Sequence, residues 1–128
     1  MRTAVVLLNF GEPEEPTLEA VLPFLERIFV RNAPLEAAAT PEAARRRARE
    51  LAERRAPGLV ADYEKIGGSP LGAQSRAQAG ALRDELARRG LEAGVVVANQ
   101  FTDPTIPAVV ERLCRDGFDR LIGLPVYP

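Results

Sequence analysis

The apolar and polar positions of this chain fall into segments whose period changes along its length. Residues 4–8 (Ala-Val-Val-Leu-Leu) are an unbroken apolar run closed by Asn9-Phe10-Gly11-Glu12-Pro13. Such a run predicts a buried strand followed by a tight loop. From Thr17 the period lengthens, and Val21, Leu22, Leu25, Ile28 and Phe29 share one face of a helix whose middle is weakened by Pro23. Thr40-Pro41 has the form of a cap and a first helical residue, and it opens a second helix running to about Arg55. A short third helix is expected from Pro57 to Gly67, and Ser69-Pro70 starts a fourth that stops at Gly90. Residues 94–98 make a second apolar strand, Thr105 opens a helix ended by Gly117, and residues 120–124 make a third strand. Continuous Val/Ile/Leu strands separated by helices indicate an α/β fold with a parallel sheet covered on both faces.

Composition narrows the possible functions more than it changes this picture. At 128 residues the chain is one domain at most, and a hydrophobic fraction of 46% supports a core. Residues 42–55 hold six arginines, but Glu42/Arg46, Arg46/Glu50, Arg49/Glu53 and Glu50/Arg54 are complementary at four-residue spacing. With a formal net charge of −1 and no interleaved aromatics for stacking, a solvated helix is the better reading and nucleic acid is not an expected partner. The single cysteine, Cys114, excludes an intrachain disulfide, suits a reducing cytoplasm and reads as a small core residue of its helix. No apolar run reaches the length of a membrane span, and the opening apolar run is too short for a signal-peptide core. These features describe a soluble, cytoplasmic protein. Histidine is absent altogether. A metal site built from His or Cys, and a hydrolase that relies on a histidine base, are therefore not expected.

Two features suggest where a ligand would sit. The first is Tyr63-Glu64-Lys65-Ile66-Gly67-Gly68-Ser69-Pro70-Leu71, where paired glycines lead into a Ser-Pro helix start. Such a start presents backbone N–H groups and a hydroxyl to an anion, although the same residues also describe an ordinary capped helix after a turn. The second is the placing of the aromatics. Only seven occur, yet Phe10, Phe101 and Tyr127 each follow one of the three strands. Ligands of open parallel sheets bind beyond those strand ends, although packing of loop residues is the alternative. Aromatic walls, an anion seat and nearby arginines suit a flat apolar ligand with a few anionic groups, a porphyrin better than a nucleotide. Neither Gly-x-Gly-x-x-Gly nor a Walker-type loop follows the first strand.

Together these residues resemble the ferrochelatases, enzymes that insert ferrous iron into a porphyrin in haem biosynthesis. The resemblance runs through Leu7-Leu8-Asn9-Phe10-Gly11-x-Pro13, Arg54-Arg55-x-Pro57, Tyr63-x-x-Ile66-Gly67-Gly68-Ser69-Pro70-Leu71 and Gln78. It continues through Pro104, Asp116-Gly117-Phe118-Asp119-Arg120 and Leu124-Pro125-Val126-Tyr127-Pro128. It implies a Rossmann-like, chelatase-like three-layer sandwich with a mostly parallel sheet. Residues 1–128 would be the N-terminal lobe of a two-lobed fold, an incomplete half without its last strand. The C-terminal lobe, supplied in cis or in trans, would carry the catalytic histidine and its acidic partner, so this chain alone is expected to be inactive. Ferrous iron and a porphyrin (protoporphyrin IX or coproporphyrin III) would be substrates, with no cofactor bound by this chain alone.

By the same resemblance, Phe10 faces the porphyrin opposite the catalytic histidine, where some relatives carry a tyrosine able to ligate iron; phenylalanine cannot. Arg54 and Arg55 match an arginine pair of which one member meets a propionate, as guanidinium–carboxylate geometry favours. Ser69 matches a residue near a propionate, and Tyr63 a tyrosine at the cleft. The chain departs from the family in two places. Its glycine segment is one residue shorter than usual before Ser69, and Gln100-Phe101 stands where many relatives have Arg-Tyr. Glu12, Glu14 and Glu15 read as exposed loop carboxylates, unsuited to act as the base. Two other readings remain, a non-catalytic tetrapyrrole-binding module (alone or as a homodimer) and a structural or interaction domain of chelatase-like fold. The exposed edge of a three-strand sheet invites a partner under each of them.

Overall fold

Three apolar segments rich in Val, Ile and Leu become three strands, because β-branched side chains suit a pleated sheet, although Gly94 and Gly123 interrupt the second and third. The computed structural model describes residues 1–33 and 40–127. Its elements are β1 (Thr3–Asn9), α1 (Leu18–Asn32), α2 (Pro41–Lys65), α3 (Leu71–Arg88), β2 (Ala93–Asn99), α4 (Ile106–Arg115) and β3 (Arg120–Pro125). They form two compact units, one of Met1–Gly11 with Pro70–Pro128 and the other of Glu12–Ser69.

The first unit holds the sheet, in the order β2-β1-β3. All pairings are parallel, with Val5 opposite Val95 and Ile122, and Leu7 opposite Val97 and Leu124. Alternation along β1 sends Ala4, Val6 and Leu8 to one face, where they pack with Ala98, Val109, Leu113, Phe118 and Leu121. Val109 and Leu113 are the inward face of α4. The opposite face receives α3, which packs on β2 and β1. Sheet and helices therefore make the α/β, three-layer arrangement of a partial Rossmann-like chelatase fold. Coverage is incomplete over β3, one of the two edge strands, where Ile122 and Leu124 are 39% and 42% exposed. At the amino ends of the strands, Arg2 lies 4.3 Å over the Phe118 ring and its backbone N–H donates to Asp119 at 2.9 Å. The Asp116-to-Arg120 motif is thus built into the fold at the end away from the expected ligand.

In the second unit α1 and α2 pack together. Ala48, Ala52 and Ala56 are buried at four-residue spacing on α2, and small side chains along such a ridge let helix axes approach closely. Val21, Phe24 and Leu25 are the buried positions of α1. The arginine-rich face of α2 is exposed, with Arg49 3.1 Å from Glu53 and 4.0 Å from Glu26 of α1. Exposed pairs of this kind contribute at most about 1 kcal/mol each.

Three expectations are met at the caps: Thr17, Thr40 and Thr105 accept hydrogen bonds from Ala20, Ala43 and Ala108. Three others are corrected. The two helices expected on either side of Pro57 are one, because α2 runs through it. Proline in a helix interior costs about 3 kcal/mol or more, mainly by removing a hydrogen bond and crowding the preceding turn. Pro57 is exposed, so water can reach the carbonyl it leaves, while the buried alanine ridge ends at Ala56 and the apolar face resumes at Leu59. Ser69 is not the cap of α3: Pro70 takes that position, and no side chain caps the first turn. Cys114 is exposed rather than in the core, because Leu113 takes the inward position. Pro128 of the closing motif lies outside the described residues.

Candidate functional site

The carboxyl ends of the strands are drawn together by main-chain hydrogen bonds that extend the ladder into the loops. The N–H of Gln100 donates to the Asn9 carbonyl at 2.9 Å, that of Phe101 to Phe10 at 3.0 Å, and that of Val126 to Leu8 at 3.0 Å. Gly11 permits the closest approach. Its φ is +88°, and a Cβ there would meet Thr102 Oγ1 and come within 3.0 Å of Asn99 Cβ.

This zippering assembles the strand-end aromatics. Phe10 and Phe101 meet with ring centroids 4.7 Å apart at 63°, and Phe10 and Tyr127 at 6.4 Å and 70°. Both are edge-to-face arrangements, which ring quadrupoles favour. The three rings differ in role. Phe101 is 5% exposed and backs the group, Phe10 is half-buried, and Tyr127 is 37% exposed. Tyr127 donates its hydroxyl to Gln100 Oε1 at 3.4 Å, so Gln100 contributes a polar partner at the rim. The result is a small apolar platform with one polar corner.

Beneath it lies a buried polar pair that sequence reasoning missed. Asn9 ends β1 and its Nδ2 donates to Ser75 Oγ at 2.6 Å, while its Oδ1 accepts from the Phe10 N–H at 3.0 Å. The available signal was a lone serine on the inward face of α3, in line with Ala79.

The second unit holds the other expected residues. Arg54 and Arg55 are exposed on α2, and Arg55 lines a recess of about 190 Å³ with Leu25, Gly58, Leu59 and Asp62. Tyr63 is half-buried near the end of α2. Burial first, then the charge of Glu12 and a hydrogen bond to it, push the Tyr63 phenol up to about 12. Tyr63 is therefore a neutral hydrogen-bond donor at ordinary pH. Glu12 is half-buried rather than exposed, because the phenol holds its carboxylate; Glu14 and Glu15 are exposed as expected.

The glycine pair before Ser69 has a different task from the one its sequence suggests. The Gly68 N–H donates to the Tyr63 carbonyl at 2.8 Å and the Gly67 N–H to Glu64 at 3.2 Å, with φ of +77° at Gly67. This is the Schellman closure of a helix, which satisfies carbonyls at the end of α2. Those two N–H groups serve α2 and are not donors to an anion. Ser69 itself is half-buried. Phe10 and Phe101 thus come together in the first unit, and Arg54, Arg55, Tyr63 and Ser69 belong to the second. Among the described residues, no group of three or more His, Cys, Asp or Glu is placed to hold a metal ion, and no helix is long and apolar enough to cross a membrane.

A family model, Ferrochelatase, matches residues 2–128. The chain is 38% identical over 128 residues to "Ferrochelatase" of Synechococcus sp. (strain JA-3-3Ab), covering 99% of this chain and 37% of that protein. It is 37% identical over 128 residues to "Ferrochelatase" of Synechocystis sp., covering 99% of this chain and 32% of the relative. Against "Ferrochelatase-2, chloroplastic" of Oryza sativa subsp. indica it is 37% identical over 132 residues, covering 99% of this chain and 24% of that protein. The chain thus spans a quarter to somewhat over a third of the length of these curated relatives. With the family model matched along essentially its whole length, this chain belongs to the ferrochelatase family.

Proposed function

We propose that the chain provides porphyrin-binding residues of a cytoplasmic ferrochelatase, which inserts ferrous iron into protoporphyrin IX or coproporphyrin III. The observation that carries this reading is the Phe10–Phe101–Tyr127 platform at the strand ends, where open parallel sheets receive their ligands. Phe10 contacts a face of the macrocycle, Phe101 holds Phe10 in place, and the propionates fall to Arg54, Arg55 and Ser69, while Tyr63, whose one hydroxyl proton is donated to Glu12, contributes by packing. Phe10 has no heteroatom for the metal, so it acts by apolar contact alone.

Metal insertion requires a distorted macrocycle whose pyrrole nitrogens expose lone pairs, and a base that takes up two protons. Contacts that fit the distorted ring better than the flat one lower that barrier. Aromatic walls and cationic propionate partners are suited to this. The proton acceptor has to come from elsewhere, because the chain contains no histidine and Glu12 is engaged by Tyr63. The C-terminal half of the enzyme, in cis or in trans, is the proposed source.

Titration of the 128-residue chain with a porphyrin tests this reading, through the porphyrin absorption band and the tyrosine emission of a protein without tryptophan. The expected result is a shifted band and quenched emission, weakened several-fold by Phe10→Ala, with no metal inserted. No spectral change at tens of micromolar, an affinity of roughly −6 kcal/mol or weaker, would overturn it. That outcome would favour a structural domain of the same fold.

A further inference from the structure

We infer that Ser75 is a positioning residue, which holds the aromatic platform in register with the sheet through Asn9. The link to ligand binding rests on the function proposed above; the positioning itself does not.

Ser75 is 2% exposed on the inward face of α3, where an alanine would be the better helix former. Its hydroxyl makes two bonds of opposite sense. It donates to the Leu71 carbonyl one turn back at 2.7 Å and accepts from Asn9 Nδ2 at 2.6 Å. Asn9, 3% exposed, has its amide orientation fixed as a result, with the nitrogen toward Ser75 and the oxygen toward the Phe10 N–H. The Asn9 carbonyl meanwhile accepts from Gln100. One buried asparagine therefore joins α3, the loop after β1 and the loop after β2, and its side-chain donor depends on a single hydroxyl.

A hydroxyl suits this place because it accepts and donates at once. Alanine would leave the Asn9 amide nitrogen buried without its acceptor, and a buried unsatisfied donor drives rearrangement. The amide would turn or tilt, and the Phe10 N–H would lose its fixed acceptor. Phe10 is the ring that touches both Phe101 and Tyr127, so a shift of its backbone disturbs the whole platform.

Amide hydrogen exchange on the 128-residue chain, followed residue by residue, tests the positioning directly. In Ser75→Ala, the Phe10 amide is expected to exchange at least tenfold faster while that of Val6, in the central strand, changes less than threefold. Ser75→Thr, which keeps the hydroxyl, is expected to restore the Phe10 rate to within threefold of the parent. Equal acceleration at Phe10 and Val6 would mean a general loss of stability and would overturn the inference, as would an unchanged Phe10 rate in Ser75→Ala. Porphyrin titration of the same proteins addresses the functional link: Ser75→Ala is expected to weaken binding about five- to tenfold. If the parent binds and Ser75→Ala binds equally well, the link to the ligand is wrong. If the parent itself does not bind, the porphyrin reading fails, and the exchange experiment still decides the positioning.

Discussion

Replacing Gly11 by alanine isolates the contact that lets the first two strand-end loops meet. Two separate costs follow from its geometry. The backbone has φ of +88°, a region in which a residue with a Cβ is disfavoured by roughly 1–2 kcal/mol. The new Cβ would also run into Thr102 Oγ1 and sit 3.0 Å from Asn99 Cβ. Making room in a packed region costs roughly 1–3 kcal/mol. Together, Gly11→Ala should lose about 2–5 kcal/mol, a large share of the roughly 5–15 kcal/mol typical of a whole domain. Urea unfolding followed by far-ultraviolet circular dichroism measures this in a chain without tryptophan. A second substitution separates the two costs. Thr102→Ala removes the hydroxyl but leaves the backbone conformation and the Asn99 contact, so in the Gly11→Ala background it should recover about 1 kcal/mol and not the whole loss. A Gly11→Ala protein within about 0.5 kcal/mol of the parent, the range of an ordinary surface change, would refute the reasoning. Complete recovery by Thr102→Ala would refute its conformational half.

Two further substitutions address the second unit and the core. The Tyr63 phenol, raised to about 12 from an ordinary value near 10, is favoured in its neutral form by folding. The stability it contributes is therefore complete below pH of about 10 and is lost as pH rises through about 12. In a Tyr127→Phe background, phenolate absorbance should report this late ionisation, and Glu12→Gln should bring it earlier without returning it to the ordinary value, since burial is the leading cause. An unchanged midpoint in Glu12→Gln would remove Glu12 as a partner. Leu113→Ala, beside Val109 in the sheet-facing stripe of α4, should cost about 2–5 kcal/mol in the same urea experiment, whereas the exposed neighbour Arg112→Ala should cost less than about 0.5 kcal/mol. Similar losses at the two positions would contradict the assigned face.

The strands and the threonine caps were legible because each depends on a few adjacent residues, and the parallel pairing because helices separate the strands along the chain. An apolar run of five needs no distant partner to be recognised. Pro57 misled for the converse reason. A local rule gives proline a veto over helix, but the ridge of Ala48, Ala52 and Ala56 followed by Leu59 and Tyr63 keeps the helical period on both sides of it. Read as a 25-residue pattern, the periodicity would have predicted one helix. Cys114 was placed a residue out of phase, since Leu113 already held the inward position.

The aromatic contacts were legible in a different way. That aromatics follow all three strands is a statement about order along the chain, and the sheet turns that order into the contact of Phe10 with Phe101 and Tyr127. The Gly67-Gly68-Ser69-Pro70 turn shows the limit of the same logic. Its residue types suit either an anion seat or a helix closure, because both need backbone N–H groups at a bend that tolerates positive φ. Carbonyls at the end of a 25-residue helix are always present, whereas an anion is present only when bound. Here the N–H groups of Gly67 and Gly68 close α2. Recognition of an anionic group at this turn must therefore come from side chains such as Ser69, while Arg54 and Arg55, roughly 18 Å back along α2 by its helical rise, would act on a separate anionic group. Charge reversal at Arg54 and Arg55 should then weaken a porphyrin bearing free propionates more than its dimethyl ester, whereas equal weakening would remove the propionate from the interaction.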